Sequence, residues 1–171
     1  MDFEYYDKYI NKNTIGRYDV TPIFENYEVF SNLLNDLIKP FKDRDIEFNK
    51  IVGLDALGFI IGGALAQKEK VGFVPIRKGG KLPGVKDSII ADSFIDYSND
   101  SKSFEINKSS IKEGDKIIIV DEWIETGTQV KSAIKLIEKL KGEIVGITTL
   151  NADKNKNIEE LNKKYLIFSI N

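Results

Sequence analysis

Two adjacent carboxylates and a hydroxyl-bearing turn lie close together in residues 116–131. The four apolar residues 117–120 predict a buried strand, and Asp121 and Glu122 follow where that strand should end. Carboxylates in such a position accept hydrogen bonds from a sugar diol or bind a hard cation. The turn Thr126-Gly127-Thr128 offers hydroxyls and backbone N–H groups at a helix start, which favours a phosphate. The spacing therefore indicates a grip for a phosphorylated sugar such as a ribose 5-phosphate.

The same residues also have a plainer interpretation. They could form a solvated strand end in which Thr126 or Thr128 is the N-cap of the following helix. The chain has neither a Walker A loop nor a G-x-G-x-x-G motif, so neither of these phosphate-binding devices decides the matter. From residue chemistry alone, both interpretations remain open.

Two residue types are missing from the sequence, and their absence narrows the chemistry. The 171 residues include no cysteine and no histidine. This excludes disulfides, thiolate nucleophiles, Ser-His-Asp catalysis and metal sites built on Cys or His. Any metal must be held by oxygen ligands, which points to Mg²⁺ or a similar hard cation. Acid–base work would fall to Asp, Glu, Lys or Tyr.

Composition and charge are those of an ordinary globular protein, with 42% hydrophobic and 30% charged residues. The length suits one domain spanning residues 1–171. A net charge of -2 and a pI near 5.4 argue against nucleic-acid binding driven by bulk charge. No apolar run approaches the roughly 18 residues that a membrane span needs, and the acidic, aromatic N-terminus is unlike a secretory signal. We expect a cytoplasmic protein that binds neither nucleic acid nor membrane.

Strand and helix patterns alternate along the chain and predict an α/β fold, a mainly parallel twisted sheet flanked by helices. Strands are predicted over residues 50–54, 71–76, 116–121, 143–150 and 165–170. Helices are predicted over residues 26–41, 57–70, 130–140 and 158–164, with a polar loop at 151–157. Pro40 and the charged residues 42–45 should mark the end of the first of these helices, and Gly142 should end the third.

A basic segment and a small hairpin complete the predicted fold. Residues 77–88, RKGGKLPGVKDS, are rich in glycine and contain a proline, which predicts a flexible loop. Residues 88–96 and 103–107 show partial alternation and predict paired strands, with a turn at 99–102.

The motifs together resemble a known family. Residues 116–129 are similar to the phosphoribosyl-pyrophosphate motif of type I phosphoribosyltransferases, in which apolar residues, two acids and a short spacer precede Thr-Gly. Residues 51–60 and 73–84 resemble the adenine phosphoribosyltransferase pattern, and residues 19–22 resemble its Asp-Ile-Ser/Thr-Pro element. The resemblance covers roughly residues 16–150. Its most specific part is the Arg-Lys-x-Gly-Lys-Leu-Pro-Gly loop, residues 77–84.

The resemblance implies a role for each motif. Asp121 and Glu122 would bind the ribose hydroxyls, with Mg²⁺ nearby. The 5-phosphate would be wrapped by Glu125, Thr126, Gly127, Thr128 and Gln129. The pyrophosphate would be bound by Asp55, Ala56, Leu57, Arg77, Lys78 and Lys81, with a non-proline cis peptide often found in the loop of the first three. Asp96 stands where the family usually has a Glu near the reaction centre.

Some of these residues also have structural interpretations. Asp55 could be the N-cap of the helix that follows it, and this would be compatible with a role in the pyrophosphate loop. Asp96 could be a solvated strand residue, and residues 77–84 could be a basic surface turn.

Several residues depart from the adenine pattern on the donor side. Adenine enzymes usually have Arg in place of Leu57, so one pyrophosphate contact is missing here. Their second acid is usually Asp, and it is replaced by Glu122. Thr128 stands in place of a glycine and adds bulk near the phosphate, and Gln129 replaces a hydroxyl.

The residues expected around the base depart as well. Glu125 occupies a position where 6-oxopurine enzymes carry an acid that can face N7 of the purine, so it is either a general base or a solvated loop acid. Trp123 replaces a smaller aliphatic residue and is either a stacking platform or a partly buried core aromatic. Arg17 and Tyr18 stand where adenine enzymes have Phe-Arg, so Tyr18 could stack on the base instead.

The resemblance implies a homodimeric, Mg²⁺-dependent purine phosphoribosyltransferase of the adenine type, whose partners are phosphoribosyl pyrophosphate and a free purine base. Its predicted catalytic residues are Asp121, Glu122, Glu125 and Asp96. Specificity for a 6-oxopurine or another base is the second possibility. The third is a non-catalytic binder of phosphoribosyl pyrophosphate or a nucleotide, with its catalytic set eroded at Leu57, Thr128 and Gln129.

Overall fold

One seven-stranded sheet, in the order β3-β4-β2-β1-β5-β6-β7, forms the centre of the molecule. The computed structural model describes residues 1–84, 87, 89–95 and 101–171. The strands are β1 Lys50–Leu54, β2 Gly72–Lys78, β3 Ile89–Ile95, β4 Ser101–Asn107, β5 Lys116–Ile124, β6 Glu143–Ala152 and β7 Ile167–Ser169. Strands β2, β1, β5, β6 and β7 are parallel, whereas β3 and β4 form an antiparallel hairpin at one edge. The predicted α/β fold and the predicted hairpin are confirmed.

Helices cover both faces of this sheet. They are α1 Phe3–Asp7, α2 Pro22–Glu25, α3 Tyr27–Lys42, α4 Leu57–Glu69, α5 Thr128–Lys139 and α6 Lys156–Asn162. The buried side chains form two clusters, one including residues of α3 and α4 and the other residues of α5 and α6. No helix in the described ranges is both long and apolar enough to cross a membrane.

Strand β5 lies between the two clusters, which explains its unbroken apolar run. Ile117 and Ile119 pack into the cluster that holds α5 and α6, whereas Ile118 and Val120 pack into the one that holds α3 and α4. Successive side chains of a strand point to opposite faces, so a strand covered on both sides needs apolar residues at every position.

The end of β5 differs from the prediction. The strand does not end at Asp121 but continues to Ile124, because β6 runs on to Ala152 and pairs with it along this length. On the other side, the pairing with β1 stops at Val120. Asp121 is therefore the first residue of β5 beyond its β1 neighbour, at the carboxyl edge of the parallel strands.

Two helix ends differ in detail from the prediction. Helix α3 continues past Pro40 to Lys42, because Leu37 and Phe41 on either side are buried and their packing holds the last turn despite the missing N–H. After α5 the left-handed residue is Lys141, with φ 61°, and not Gly142. Gly142 serves close packing instead, because a Cβ there would lie 2.7 Å from Cδ1 of Ile117.

Three predicted loops are shorter than expected. Arg77 and Lys78 belong to β2, because they pair with β4. Residues 101 and 102 of the predicted turn open β4, whereas residues 99 and 100 lie outside the described residues, as do 85, 86 and 88. The polar loop at 151–157 shrinks to residues 153–155, because β6 and α6 take its ends.

Candidate active site

Asp121 is buried at the carboxyl edge of the sheet, with 6% of its surface exposed. Its Oδ1 accepts a hydrogen bond of 3.0 Å from the backbone N–H of Glu122. Burial raises the pKa of Asp121 well above its ordinary value, the neighbouring Glu122 raises it further, and the nearby Arg17 opposes the rise. The carboxylate is thus held in a place where a ligand hydroxyl or a cation would lower the free energy of its charged form.

Glu122 carries the second carboxylate of the pair. Its Oε2 is buried and accepts no hydrogen bond from any described residue. A buried carboxylate oxygen without a donor is costly, and a ribose hydroxyl or a metal ion would satisfy it. No group of three or more acidic side chains able to hold a metal is found within the described ranges. A cation here would therefore need further oxygens from a ligand.

The turn between β5 and α5 is held in a left-handed conformation. Gly127 has φ 77° and is the N-cap of α5. Neither Thr126 nor Thr128 is therefore the N-cap; their hydroxyl oxygens lie 2.9 Å from each other, and the oxygen of Thr126 accepts a 3.4 Å hydrogen bond from the N–H of Thr128. Because the N-cap glycine has no side chain, the N–H groups that follow Thr128 at the helix start are available to an anion.

Helix α6 and the loop before it support this turn from behind. A Cβ on Gly127 would lie 3.0 Å from Cδ1 of Ile158 in α6, so the two elements are in close contact. Asn155 donates a hydrogen bond of 2.6 Å from its side-chain amide to the carbonyl oxygen of Glu125. The turn is therefore positioned by α6 and the loop before it, which follow the turn in the chain after α5 and β6.

The turn between β1 and α4 lies beside the acidic pair. It contains a cis peptide bond between Asp55 and Ala56, as the family resemblance implied. The start of α4 packs tightly onto β5, because a Cβ on Gly58 would lie 2.8 Å from the carbonyl oxygen of Val120. The same Cβ would lie 3.3 Å from Oδ1 of Asp121. Glycine at position 58 thus allows this turn to approach Asp121.

Asp55 faces β2 rather than capping α4, whose N-cap is Ala56. Its Oδ2 lies 3.6 Å from Nε of Arg77 and accepts a 3.3 Å hydrogen bond from the backbone N–H of Lys78. Asp55 therefore fixes the end of β2, where two cations of the predicted pyrophosphate set are located.

The described start of the basic loop is tied to the hairpin. The N–H of Gly80 donates to Oε1 of Glu105 at 2.9 Å, and the N–H of Lys81 donates to the carbonyl oxygen of Lys78 at 3.2 Å. Lys81 is exposed in this turn. The predicted catalytic residue Asp96 lies outside the described residues.

A cavity of about 990 Å³ opens next to Glu122 and the turn at residues 125–129, here called the phosphate turn after its predicted ligand. Trp123 and Tyr18 both line it and meet edge to face, with ring centroids 6.0 Å apart. The indole N–H of Trp123 donates to Oδ1 of Asp153 at 3.0 Å, which fixes the plane of the indole. Two aromatic rings beside an acidic sugar site suit a flat heterocyclic base.

Glu125 and Arg17 form an ion pair at the boundary between the cavity and the phosphate turn. Nε of Arg17 lies 2.9 Å from Oε1, and its second guanidinium nitrogen donates to Oε2 at 3.1 Å. Both oxygens of the Glu125 carboxylate therefore face a cation, in the bidentate geometry that a guanidinium favours.

Comparisons with known proteins agree with this geometry. The profile of the phosphoribosyl transferase domain family matches residues 27–171. The adenine phosphoribosyltransferase of Halothermothrix orenii is 43% identical over 129 residues, which cover 75% of this chain and 72% of that protein. The chain belongs to the phosphoribosyltransferase family. Within it, the chain is most like the adenine phosphoribosyltransferases.

Solved structures of phosphoribosyltransferases match nearly the whole chain. The adenine phosphoribosyltransferase of Rhodothermus marinus aligns with a TM-score of 0.86 and 29% identity, over 98% of this chain and 96% of that one. The protein from Saccharomyces cerevisiae was solved with D-2,5-dideoxy-2,5-imino-altritol 1,6-bisphosphate and adenine. It aligns with a TM-score of 0.84 and 28% identity, over 99% of this chain and 98% of that one.

The fold brings most of the predicted site residues of this phosphoribosyltransferase to one edge of the sheet. The acidic pair lies in the part of β5 that extends beyond β1, and the turn at residues 125–129 and the turn at Asp55 follow these two neighbouring parallel strands. Sequence analysis missed Asp153 and Asn155, although a polar loop directly after a central strand is where α/β proteins commonly bind ligands. It also missed Gly58, and no pattern in the sequence singled it out.

Proposed function

We propose that the chain transfers the phosphoribosyl group of phosphoribosyl pyrophosphate to adenine, giving the nucleoside monophosphate and pyrophosphate in purine salvage. One observation carries the proposal. The buried Asp121 with its neighbour Glu122, the start of α5 at Gly127, and the end of β2 with its two cations Arg77 and Lys78 all lie at the carboxyl edge of one sheet. These are the groups that a ribose diol, a 5-phosphate and a pyrophosphate need.

The acidic and the basic residues of the site would have different roles in the reaction. Loss of pyrophosphate from C1 builds positive charge on the ribose and negative charge on the leaving group. Asp121 and Glu122 would bind the ribose hydroxyls and stabilise the positive charge, while Arg77, Lys78 and Lys81 would stabilise the leaving group, next to the loop Asp55-Ala56-Leu57. The turn at residues 125–129 would hold the 5-phosphate. Asp96 remains a predicted contributor near the reaction centre.

Mg²⁺ fits the donor set of the acidic pair. The ligands are hard oxygens, and one of them, Oε2 of Glu122, is buried without a hydrogen-bond donor among the described residues. We propose that Asp121 and Glu122 hold the ion, directly or through water, together with oxygens of phosphoribosyl pyrophosphate. When bound, Mg²⁺ would offset negative charge on the pyrophosphate.

Adenine is the proposed acceptor for two reasons. Curated relatives that are 42–43% identical to the chain are adenine phosphoribosyltransferases, and one structural neighbour was solved with adenine bound. A general base at Glu125 would favour a 6-oxopurine instead, but both of its carboxylate oxygens face Arg17. We propose that the base lies in the cavity beside Trp123 and Tyr18.

Pyrophosphate release from phosphoribosyl pyrophosphate and Mg²⁺ tests the proposal with a panel of adenine, hypoxanthine, guanine and xanthine. Turnover with adenine and not with the other bases is expected, and the D121A variant should lose it while remaining folded. Turnover with a 6-oxopurine and not with adenine would show that the acceptor is the 6-oxopurine. Binding of phosphoribosyl pyrophosphate without turnover on any base would instead indicate a sensor.

We further propose that the protein acts in the cytoplasm as a homodimer. The homodimer rests on the family resemblance, and the cytoplasm on the composition. Light scattering coupled to size-exclusion chromatography measures the mass of the assembly. A mass of twice 19.4 kDa is expected, and a monomer would contradict the proposal.

A further inference from the structure

Residues 11–19 form a closed loop, here called the N-terminal loop. Its two ends are joined by backbone hydrogen bonds between Asn11 and Asp19, of 2.9 and 3.0 Å. Within it, the hydroxyl of Thr14 donates to the carbonyl oxygen of Arg17 at 2.8 Å. After it, Oδ1 of Asp19 accepts from the backbone and the hydroxyl of Thr21. The loop therefore has a defined shape from which its side chains project.

Two adjacent side chains of this loop reach the site. Arg17 pairs with Glu125 through both carboxylate oxygens, and Tyr18 meets Trp123 edge to face. The side chain of Glu125 is only 24% exposed, so the pair is partly shielded from solvent. Glu125 and Trp123 belong to the same stretch of chain, at the end of β5 and the start of the phosphate turn. The loop is thus fastened to that stretch at two neighbouring points.

The ion pair joins two departures from the adenine pattern. Arg17 lies in the element where adenine enzymes carry Phe-Arg, and Glu125 stands where they carry a small residue before Thr-Gly. A lone carboxylate next to the phosphate turn would repel a phosphate dianion. A bidentate guanidinium offsets that negative charge, so the presence of Arg17 explains how a carboxylate at position 125 is compatible with phosphate binding.

We propose that Glu125 is a positioning residue, whose ion pair with Arg17 latches the N-terminal loop over the base cavity. The latch holds Tyr18 against Trp123 and leaves no uncompensated carboxylate facing the 5-phosphate. This proposal rests on the proposed function for its kinetic consequences, but not for the latch itself. It differs from the general-base role, in which Glu125 would need a free oxygen to exchange a proton with the purine.

Tryptophan fluorescence tests the latch without any turnover. Trp123 is the single tryptophan of the chain, so its emission and its quenching by acrylamide report on this cavity. In R17A, the emission should shift to the red and the quenching constant should rise, because the loop no longer covers the indole. The control is K12A, since Lys12 is in the same loop but pairs with Asp7 at 2.5 Å. Equal emission and quenching in wild type, R17A and K12A would overturn the latch.

Steady-state kinetics with phosphoribosyl pyrophosphate and adenine test the positioning role. R17A should raise KM for phosphoribosyl pyrophosphate by roughly tenfold, because an unpaired carboxylate then faces the phosphate. The double variant R17A/E125A should recover most of that loss, since it removes the repelling charge. E125Q, which keeps an oxygen for Arg17, should lose much less kcat than the roughly 10²-fold loss that a general base at this position would cause.

A general base would give a different pattern. E125Q and E125A would then lose kcat by about 10²-fold or more, the acidic limb of the pH–rate profile would disappear, and R17A/E125A would show no recovery. That result would overturn the positioning role. If wild-type protein fails to turn over adenine at all, the proposed function is wrong, while the fluorescence comparison still decides whether the latch exists.

Discussion

The donor side of the site and its base side are built in different ways. The donor side, residues 53–58, 121–122 and 126–128, consists of strand ends and turns packed tightly onto the sheet, and Gly53 and Gly58 allow contacts that a Cβ would prevent. The base side, residues 16–20 and 153–157, consists of loops whose side chains line a wide cavity. Backbone packing therefore fixes the shape of the donor side, whereas the identity of a few loop side chains fixes the base side. The backbone packing of the donor side can therefore persist across a family while the loop side chains of the base side change.

The largest expected effect is on turnover, at the centre of the donor side. D121N should lower kcat by roughly 10²–10³-fold, because a charge aimed at the developing transition state is lost. The variant should nevertheless melt at a higher temperature than wild type, since the amide removes a buried charge that burial and the neighbouring Glu122 both disfavour. Activity assays and thermal melts on the same preparations check both. A drop in both properties would indicate a structural rather than a functional role.

The next prediction tests whether close packing defines the donor side. G58A should cost about 1–3 kcal/mol of unfolding free energy and weaken phosphoribosyl pyrophosphate binding, because the new methyl meets the backbone of β5. G63A is the matched control, since it lies in the same helix and its Cβ would meet nothing within 4 Å. It should stabilise the fold by up to about 1 kcal/mol through helix propensity. Similar effects of the two changes would contradict the packing account.

A third prediction concerns Asp115, which stabilises the fold but belongs to neither the donor side nor the base side. Burial alone would raise the pKa of Asp115, but hydrogen bonds from Lys112, Asn49 and Lys50 outweigh it and lower the pKa below its usual 3.8. Because the folded pKa lies below the unfolded one, the stabilisation is present above about pH 4 and is lost as the pH falls through the folded value. D115N should cost about 1–2 kcal/mol at pH 7 and less at pH 3.5, measured by urea unfolding. Both KM values should remain those of the wild type.

The smallest expected effect is at the base side. D153A removes the acceptor of the Trp123 indole N–H, so the ring loses one of its two orienting contacts. KM for adenine should rise by roughly threefold to tenfold, while KM for phosphoribosyl pyrophosphate should not change. An equal rise in both constants would show that the two sides are not separable.

The sequence predicted the donor side better than the base side, and the reason is physical. An apolar run followed by acids and a Thr-Gly turn is a local pattern, and a strand covered on both faces leaves a clear signature at residues 117–120. The contact of Arg17 with Glu125 joins residues 108 positions apart, and no local pattern indicates it. Asp153 reaches Trp123 only because β6 carries its following loop to the same edge.

Several predicted ends of strands and helices differ from the structure for a similar reason. Local propensity placed the end of β5 at Asp121, but pairing with β6 extends the strand to Ile124. Pro40 should end α3, but the burial of Leu37 and Phe41 holds the last turn. In each case tertiary packing overrode a local signal. The strands and helices α3 to α6 were predicted, because their apolar periodicity is long enough to dominate, whereas the four-residue helix α2 was not.

The division into a donor side and a base side is tested most directly by calorimetric binding of phosphoribosyl pyrophosphate with Mg²⁺ and no base. Wild type, G63A and D153A should bind it with similar affinity, whereas G58A should bind it at least about tenfold more weakly. If D153A weakened binding as much as G58A does, or if G58A bound like wild type, the account of a donor site fixed by backbone packing would be wrong.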